Sequence, residues 1–315
     1  MTGVVIKSTG SWYWVRTKDH HQYKCRIRGK FRIKGIKSTN PVTVGDHVDF
    51  ELEKDSNTGI ITDIHNRKNY IIRKSVKLSK QTHIIAANID RAFLMVTLDN
   101  PPTLTPFIDR FLATAEAYDI EVILLINKID INDEKLELQK NKLIEIYSNI
   151  GYNCIEISAT EKININKVKE LMLGKVSMFS GHSGVGKSTL INAISPNLNL
   201  KTAEISQQHK QGQHTTTFAE MFVIQTEPES YIIDTPGIKG FGVVDFEQHE
   251  ISDYFPEFLA LKQECKFSNC LHLNEPKCAV KEALEKGEIA ASRYKSYLQL
   301  LAGEDESYRI NDYSI

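Results

Sequence analysis

Nowhere in its 315 residues does this sequence carry an apolar run approaching the roughly 20 residues a helix needs to cross a bilayer. Its first residues, Met1-Thr2-Gly3-Val4-Val5-Ile6, lack the basic-then-apolar layout of a secretory signal. These two absences exclude a membrane role from the reading and predict a cytoplasmic protein. There is no internal repeat and no low-complexity tract, so neither a solenoid nor a disordered array is indicated. Cysteine is sparse at five residues. Cys25 and Cys154 stand alone within apolar, strand-like runs and read as inert core residues. Net charge is nearly absent as well, at -1.

That near-zero balance conceals an asymmetry. Residues 1–80 hold 17 Lys and Arg against 7 Asp and Glu, a net of +10. Residues 81–240 hold 14 against 19, and residues 241–315 hold 8 against 14. A basic module suited to a polyanion is thus joined to a mildly acidic remainder. The length predicts two or three domains, and 41% hydrophobic with 25% charged residues is ordinary globular composition.

Three segments differ in pattern. In residues 1–70, Tyr23, Cys25 and Ile27 alternate with Lys24, Arg26 and Arg28, and Phe31 and Ile33 alternate with Lys30, Arg32 and Lys34. A period of two buries one face and presents cations on the other. Short strands with turns at Val44-Gly45-Asp46 and near Gly59 predict a small β-barrel of the oligonucleotide-binding type. Trp12, Tyr13, Trp14, Tyr23 and Phe31 are either core or stacking surfaces for bases. In residues 71–242, apolar runs at 92–98, 122–126, 154–157, 176–179, 222–224 and 231–233 alternate with helical stretches at 107–117 and 136–149. This predicts an α/β domain with a parallel sheet covered on both faces. Residues 243–315 read as helical around a cysteine cluster.

Five short motifs fall at or just after the ends of the predicted strands, where nucleotide loops belong. Gly181-His182-Ser183-Gly184-Val185-Gly186-Lys187-Ser188-Thr189 is a phosphate loop. Its glycines let backbone amides close round phosphate oxygens, Lys187 adds a charge, and the Ser188 hydroxyl suits Mg²⁺. Asn127-Lys128-Ile129-Asp130 adds guanine specificity. The Asp130 carboxylate accepts from the guanine N1 and exocyclic amine, pairing that can discriminate by roughly 10⁴–10⁵. Ser158-Ala159 reads as the backbone loop facing the guanine oxygen. Asp234 and Gly237 of Asp234-Thr235-Pro236-Gly237 suit Mg²⁺ and the γ-phosphate, and Thr215-Thr216-Thr217 a further Mg²⁺ contact. In an ordinary small GTPase the phosphate loop comes first; here Asn127–Asp130 precedes it, so the order is circularly permuted. One expected part is missing. Ile238 stands where many GTPases place a glutamine to orient water, and His214 is the candidate catalytic residue instead.

Cys265-x4-Cys270-x-His272-x5-Cys278 supplies three thiolates and one imidazole, the ligand set of one closed, structural zinc site. With all four positions filled by protein, such a metal contributes folding energy rather than chemistry.

A basic barrel, a permuted GTPase with Gly212-Gln213-His214-Thr215-Thr216-Thr217, and this cysteine spacing together resemble the bacterial ribosome small subunit-dependent GTPase A family. The resemblance covers nearly the whole chain. It implies an oligonucleotide-binding barrel at 1–70, a permuted P-loop GTPase domain at 71–242 and a helical zinc domain at 243–315. It also implies a monomeric GTP hydrolase that acts late in 30S subunit maturation, binds 16S rRNA and is stimulated by the subunit. The family's histidine before the threonines matches His214, whereas Gln213 stands where a basic residue is expected. The alternative is a GTP-dependent RNA-binding switch serving another RNA process.

Overall fold

The structure, a computed structural model, describes residues 1–27, 41–54, 57–74, 82–198, 219–234 and 247–303. Arg28, Lys30, Phe31, Arg32, Ile33 and Lys34, named above, lie outside these residues.

Strands β1 (Thr2–Ser8), β2 (Tyr13–Arg16), β3 (Gln22–Ile27), β4 (His47–Leu52) and β5 (Thr58–Ile64) form the barrel. They pair in the cycle β1-β2-β3-β5-β4-β1, antiparallel except for β3 with β5. The cycle closes, as in the oligonucleotide-binding barrel expected from the sequence. The predicted alternation is present in β3: Cys25 is buried while Gln22, Lys24 and Arg26 are exposed. Inside lie Val5, Tyr13, Val15, Val48, Phe50 and Ile61. Gly59 leaves the space this core fills, since a Cβ there would sit 2.8 Å from the Cys25 sulfur.

Of the aromatic residues considered for stacking, Tyr13 is core, and Trp14 and Tyr23 are half-buried against apolar clusters. The Lys24 ammonium lies 4.4 Å from the Trp12 ring centroid and 5.7 Å from that of Trp14.

A hairpin of β6 (Tyr70–Lys74) and β7 (Thr82–Ala87) follows the barrel and touches it where Val44 bridges Ala86. The α/β domain then runs β8 (Arg91–Val96), α1 (Thr105–Ala117), β9 (Glu121–Ile126), α2 (Glu134–Asn149), β10 (Asn153–Glu156), α3 (Ile165–Met172), β11 (Val176–Ser180) and α4 (Lys187–Ile194). Strands β12 (Glu220–Thr226) and β13 (Glu229–Asp234) complete it. Each predicted apolar run is a strand. The order β10-β9-β8-β11-β13 is parallel, but β12 joins antiparallel, correcting the expectation of a wholly parallel sheet. The physical reason is the two-residue link between Thr226 and Glu229, too short for a parallel crossover. One layer of core lies under α1 and α2, around Leu94, Leu124 and Tyr147; another lies under α3 and α4, around Phe93, Leu125 and Leu190.

Strand β12 also pairs with β1, so barrel and α/β domain share one continuous sheet. Lys7 and Glu220 form a 3.0 Å ion pair at this seam. Both partners are about two-fifths exposed, so the pair contributes at most about 1 kcal/mol. Glu229 accepts from Arg16 Nε at 3.2 Å and faces His20 Nδ1 at 3.0 Å.

The C-terminal module is helical: α5 (Pro256–Leu261), α6 (Ala279–Glu285) and α7 (Ala291–Leu301), with short 3-10 turns before and after α5. Its core gathers Phe255, Phe258, Cys270, Cys278, Val280 and Tyr297, together with Ala113 of α1. Arg293 of α7 is 1% exposed and bonds the Asp109 carboxylate of α1 at 2.9 Å. It also grips Glu257 of α5 with two bonds, at 2.7 and 3.0 Å. Burial alone would lower the Arg293 pKa, but Asp109 and Glu257 hold it above its usual value. Tyr147 of α2 donates to Asp109 at 2.7 Å. A buried charge of this kind is costly to leave unpaired, so each partner fixes the others.

Candidate functional site

The phosphate-loop residues sit between β11 and α4, in the strand–loop–helix setting their sequence requires. Gly181, Gly184 and Gly186 have φ of +143°, +84° and +99°. At Gly186 the constraint is double, because a Cβ would also lie 2.4 Å from the Asn127 amide nitrogen.

Asn127 is the centre of the site. It follows β9, is 4% exposed, and donates from Nδ2 to the Val185 carbonyl at 2.7 Å. Its Oδ1 accepts from the Ala159 amide at 3.0 Å. One side chain therefore ties the 127–130 segment, the 158–159 loop and the 181–189 loop together across 58 residues of sequence. Lys128 is left-handed, at φ +68°, and its ammonium bonds the Asn100 carbonyl. Ile129 is half-buried and Asp130 is exposed. The Ser158 hydroxyl accepts from the Glu161 amide at 3.0 Å, holding its loop.

Lys187 opens α4, and its ammonium reaches back to the Gly181 and His182 carbonyls at 2.5 and 2.7 Å. Burial lowers its pKa from 10.5 to about 8. Burial, and then the charge of Lys187, also lower the pKa of His182. The His182 ring lies against Phe107, with centroids 3.7 Å apart. Ser183, Gly184 and Thr189 are exposed, Ser188 is half-buried and Val185 is fully buried. Asp234 ends β13 beside β11, the strand that leads into the phosphate loop. His214, Thr215, Thr216, Thr217 and Gly237 lie outside the described residues.

The second cluster brings Cys265, Cys270, His272 and Cys278 together, with all four ligand atoms within 4.8 Å of one another. A tetrahedral ion with metal–sulfur bonds of about 2.3 Å would need sulfur–sulfur edges of about 3.8 Å, so the spacing fits. His272 presents Nδ1 to Cys278 at 3.3 Å and to Cys265 at 3.7 Å. Burial pushes the Cys270 thiol up to about 12 and that of Cys278 upward. Three thiolates crowded in an apolar pocket need a cation to neutralise them, and the donor set therefore fits a metal ion. Glu275 organises the loop, accepting from the Leu271 and Leu273 amides at 2.8 Å each. Tyr294 and Tyr297 of α7 donate to the His272 and Leu271 carbonyls at 2.6 and 2.7 Å.

Sequence reasoning did not single out Asn100, Phe107, Glu275 or the two tyrosine hydroxyls. Contacts of this type depend on chain segments meeting in space and leave no local spacing to read.

Among the described residues no helix is long and apolar enough to cross a membrane. The RsgA GTPase family model matches residues 64–244, and the RsgA N-terminal domain model matches residues 2–61. The chain is 63% identical to the small ribosomal subunit biogenesis GTPase RsgA of Christiangramia forsetii, over 99% of both chains. It is 51% identical to the protein of that name from Porphyromonas gingivalis, over 98% of this chain and 99% of the relative. Among solved structures it resembles YjeQ from Thermotoga maritima at TM-score 0.76 and 34% identity, covering 96% of this chain and 97% of the other. It also resembles YloQ, a circularly permuted GTPase, at TM-score 0.74 and 32% identity, covering 96% and 94%. Barrel, permuted nucleotide motifs and Cys/His cluster all fall within these full-length similarities, and the chain belongs to the RsgA GTPase family.

Proposed function

We propose that this chain hydrolyses GTP to GDP and phosphate during maturation of the 30S ribosomal subunit, in the cytoplasm and as a monomer. The Asn127 bridge is the observation that supports the reading best. It gathers three separated segments into one cradle, as a guanine nucleotide requires. The relatives' shared name favours the small ribosomal subunit over another RNA process.

In this reading residues 1–70 bind 16S rRNA, 71–242 bind and hydrolyse GTP, and 243–315 form a zinc-bearing module. The amides of Gly181–Ser188 hold the phosphates and the Lys187 ammonium moves onto them. Asp130 reads the base edge, the Lys128 stem lies beside the base, and Ile129, Ser158 and Ala159 complete the base loop. Thr189 follows Ser188 on the first turn of α4. Ser188 and Asp234 would hold Mg²⁺, with one of Thr215, Thr216 and Thr217, and the ion would neutralise developing phosphate charge. Gly237 meets the γ-phosphate, and His214 orients the attacking water in place of the apolar Ile238. Cys265, Cys270, His272 and Cys278 hold one zinc ion.

Multiple-turnover GTP hydrolysis with and without purified small subunits tests the reading. The basal rate should fall in the range of roughly 10⁻⁴ to 10⁻² per second for unassisted GTPases, and small subunits should raise it. Indifference to small subunits with stimulation by another RNA would favour the alternative switch. His214→Ala should bind GTP normally and hydrolyse it more slowly; an unchanged rate would remove His214 from catalysis.

A further inference from the structure

Helix α1 has thirteen residues and is therefore about 20 Å long. Its two faces meet different parts of the molecule. At its first turn Phe107 lies against the His182 ring of the phosphate loop, with centroids 3.7 Å apart. The carbonyl of that same His182 accepts from Lys187, so the residue touching Phe107 belongs to the loop's own bonding. Two positions further, on the far side of the helix, Asp109 is wholly buried and held by Arg293 at 2.9 Å and Tyr147 at 2.7 Å. Ala113, one turn beyond Asp109 on the same face, packs in the core that contains Cys270 and Cys278. Arg293 clamps Glu257 as well, and its guanidinium carbon lies 4.5 Å from the Phe255 ring centroid. The contacts named at the far face are buried charge pairs, a buried hydrogen bond and close packing. These do not stretch gradually, so a shift at one face must be carried or refused at the other.

We propose that α1 couples the phosphate loop to the Cys/His module, with Phe107 as the positioning residue on the nucleotide side and Arg293 on the module side. The inference rests on the reading of residues 181–189 as the nucleotide loop. It gives that loop a path to the C-terminal module that does not pass through the segment after Asp234. Coupling between two sites is reciprocal: a nucleotide that fixes the loop stabilises the module, and a fixed module raises nucleotide affinity by the same factor.

Amide hydrogen exchange of the full chain, with and without saturating GDP, tests this. In the parent protein GDP should slow exchange around 181–189 and also in Ala279–Glu285 and Ala291–Leu301, the latter by about 5-fold or more. Phe107→Leu keeps most of the apolar volume and removes the ring–ring contact. It should retain GDP protection of the loop and lose it in the two C-terminal helices. Tyr147→Phe, which deletes a single hydroxyl from the Asp109 cluster, should weaken the distant protection in the same way. Exchange in Glu121–Ile126 without GDP should be unchanged in both variants, which checks that each is folded. Parent protein protected at the loop but not in the C-terminal helices would overturn the coupling. So would distant protection that persists in both variants. A loop that GDP fails to protect at all would overturn the nucleotide reading itself, and the coupling with it.

Discussion

The barrel and the Cys/His module are of similar length and are held together by different physics. The barrel, Thr2–Ile64, satisfies its backbone by closing a sheet on itself and fills the inside with Val5, Tyr13, Phe50 and Ile61. The module, Ile251–Leu301, has three helices of 6, 7 and 11 residues. Helices that short are not self-supporting in water. Beside an apolar core around Phe255, Phe258 and Tyr297, it relies on a Cys3His cluster, a buried arginine and two tyrosine hydroxyls bonded to the cluster's loop. A domain of short helices can thus add directional bonds to its apolar packing, at the expense of depending on a few atoms.

The largest expected difference between the two is their response to metal removal. Structural zinc contributes about 10–16 kcal/mol to small zinc domains. Chelation, or Cys278→Ala, should therefore abolish exchange protection in α6 and α7 and leave the barrel strands protected. Loss of protection in both would show that the barrel does not stand apart.

Next come the cores. Arg293→Ala should destabilise the module by about 3–5 kcal/mol, because it leaves Asp109 and Glu257 buried without a counter-charge. Phe50→Ala should cost the barrel a similar amount, about 3–5 kcal/mol, through a cavity instead. Urea unfolding followed by site-resolved exchange separates the two. Arg293→Met, which removes charge but keeps bulk, should recover little of the loss, since the acids remain unpaired.

A smaller effect is expected at the nucleotide loop. Lys187 titrates near 8 in the free protein, and phosphates would hold it charged and raise that value. The bound state then carries more protons than the free state. GDP affinity should accordingly be full below pH 8, fall as pH rises above it, and be accompanied by proton uptake there. Calorimetry in two buffers of different ionisation heat measures that uptake, and Lys187→Ala should abolish it.

Much of this was readable in advance, for identifiable reasons. Apolar runs such as 122–126 announced strands because buried parallel strands tolerate nothing else. Gly181, Gly184 and Gly186 announced a tight strand-to-helix turn because only glycine takes those angles without penalty. The Cys/His cluster at 265–278 was legible because its members are close in sequence as well as in space. The antiparallel β12 was missed although the short Glu227-Pro228 link signalled it. The β1–β12 seam that makes one sheet of two domains was not legible, since an exposed strand edge carries no record of what it pairs with. Nor was Asp109–Arg293, 184 residues apart, which reads in sequence as two ordinary surface charges.

In the proposed function, permuted segments converge through Asn127 on a guanine-specific cradle. Titration calorimetry with GDP, ADP and xanthosine diphosphate, on the parent chain and on Asp130→Asn, tests that specificity. The parent should bind GDP and not ADP. Asp130→Asn, which exchanges one acceptor for a donor, should lose GDP and gain the xanthine nucleotide. A parent chain that binds ADP as well as GDP, or neither, would contradict the claim.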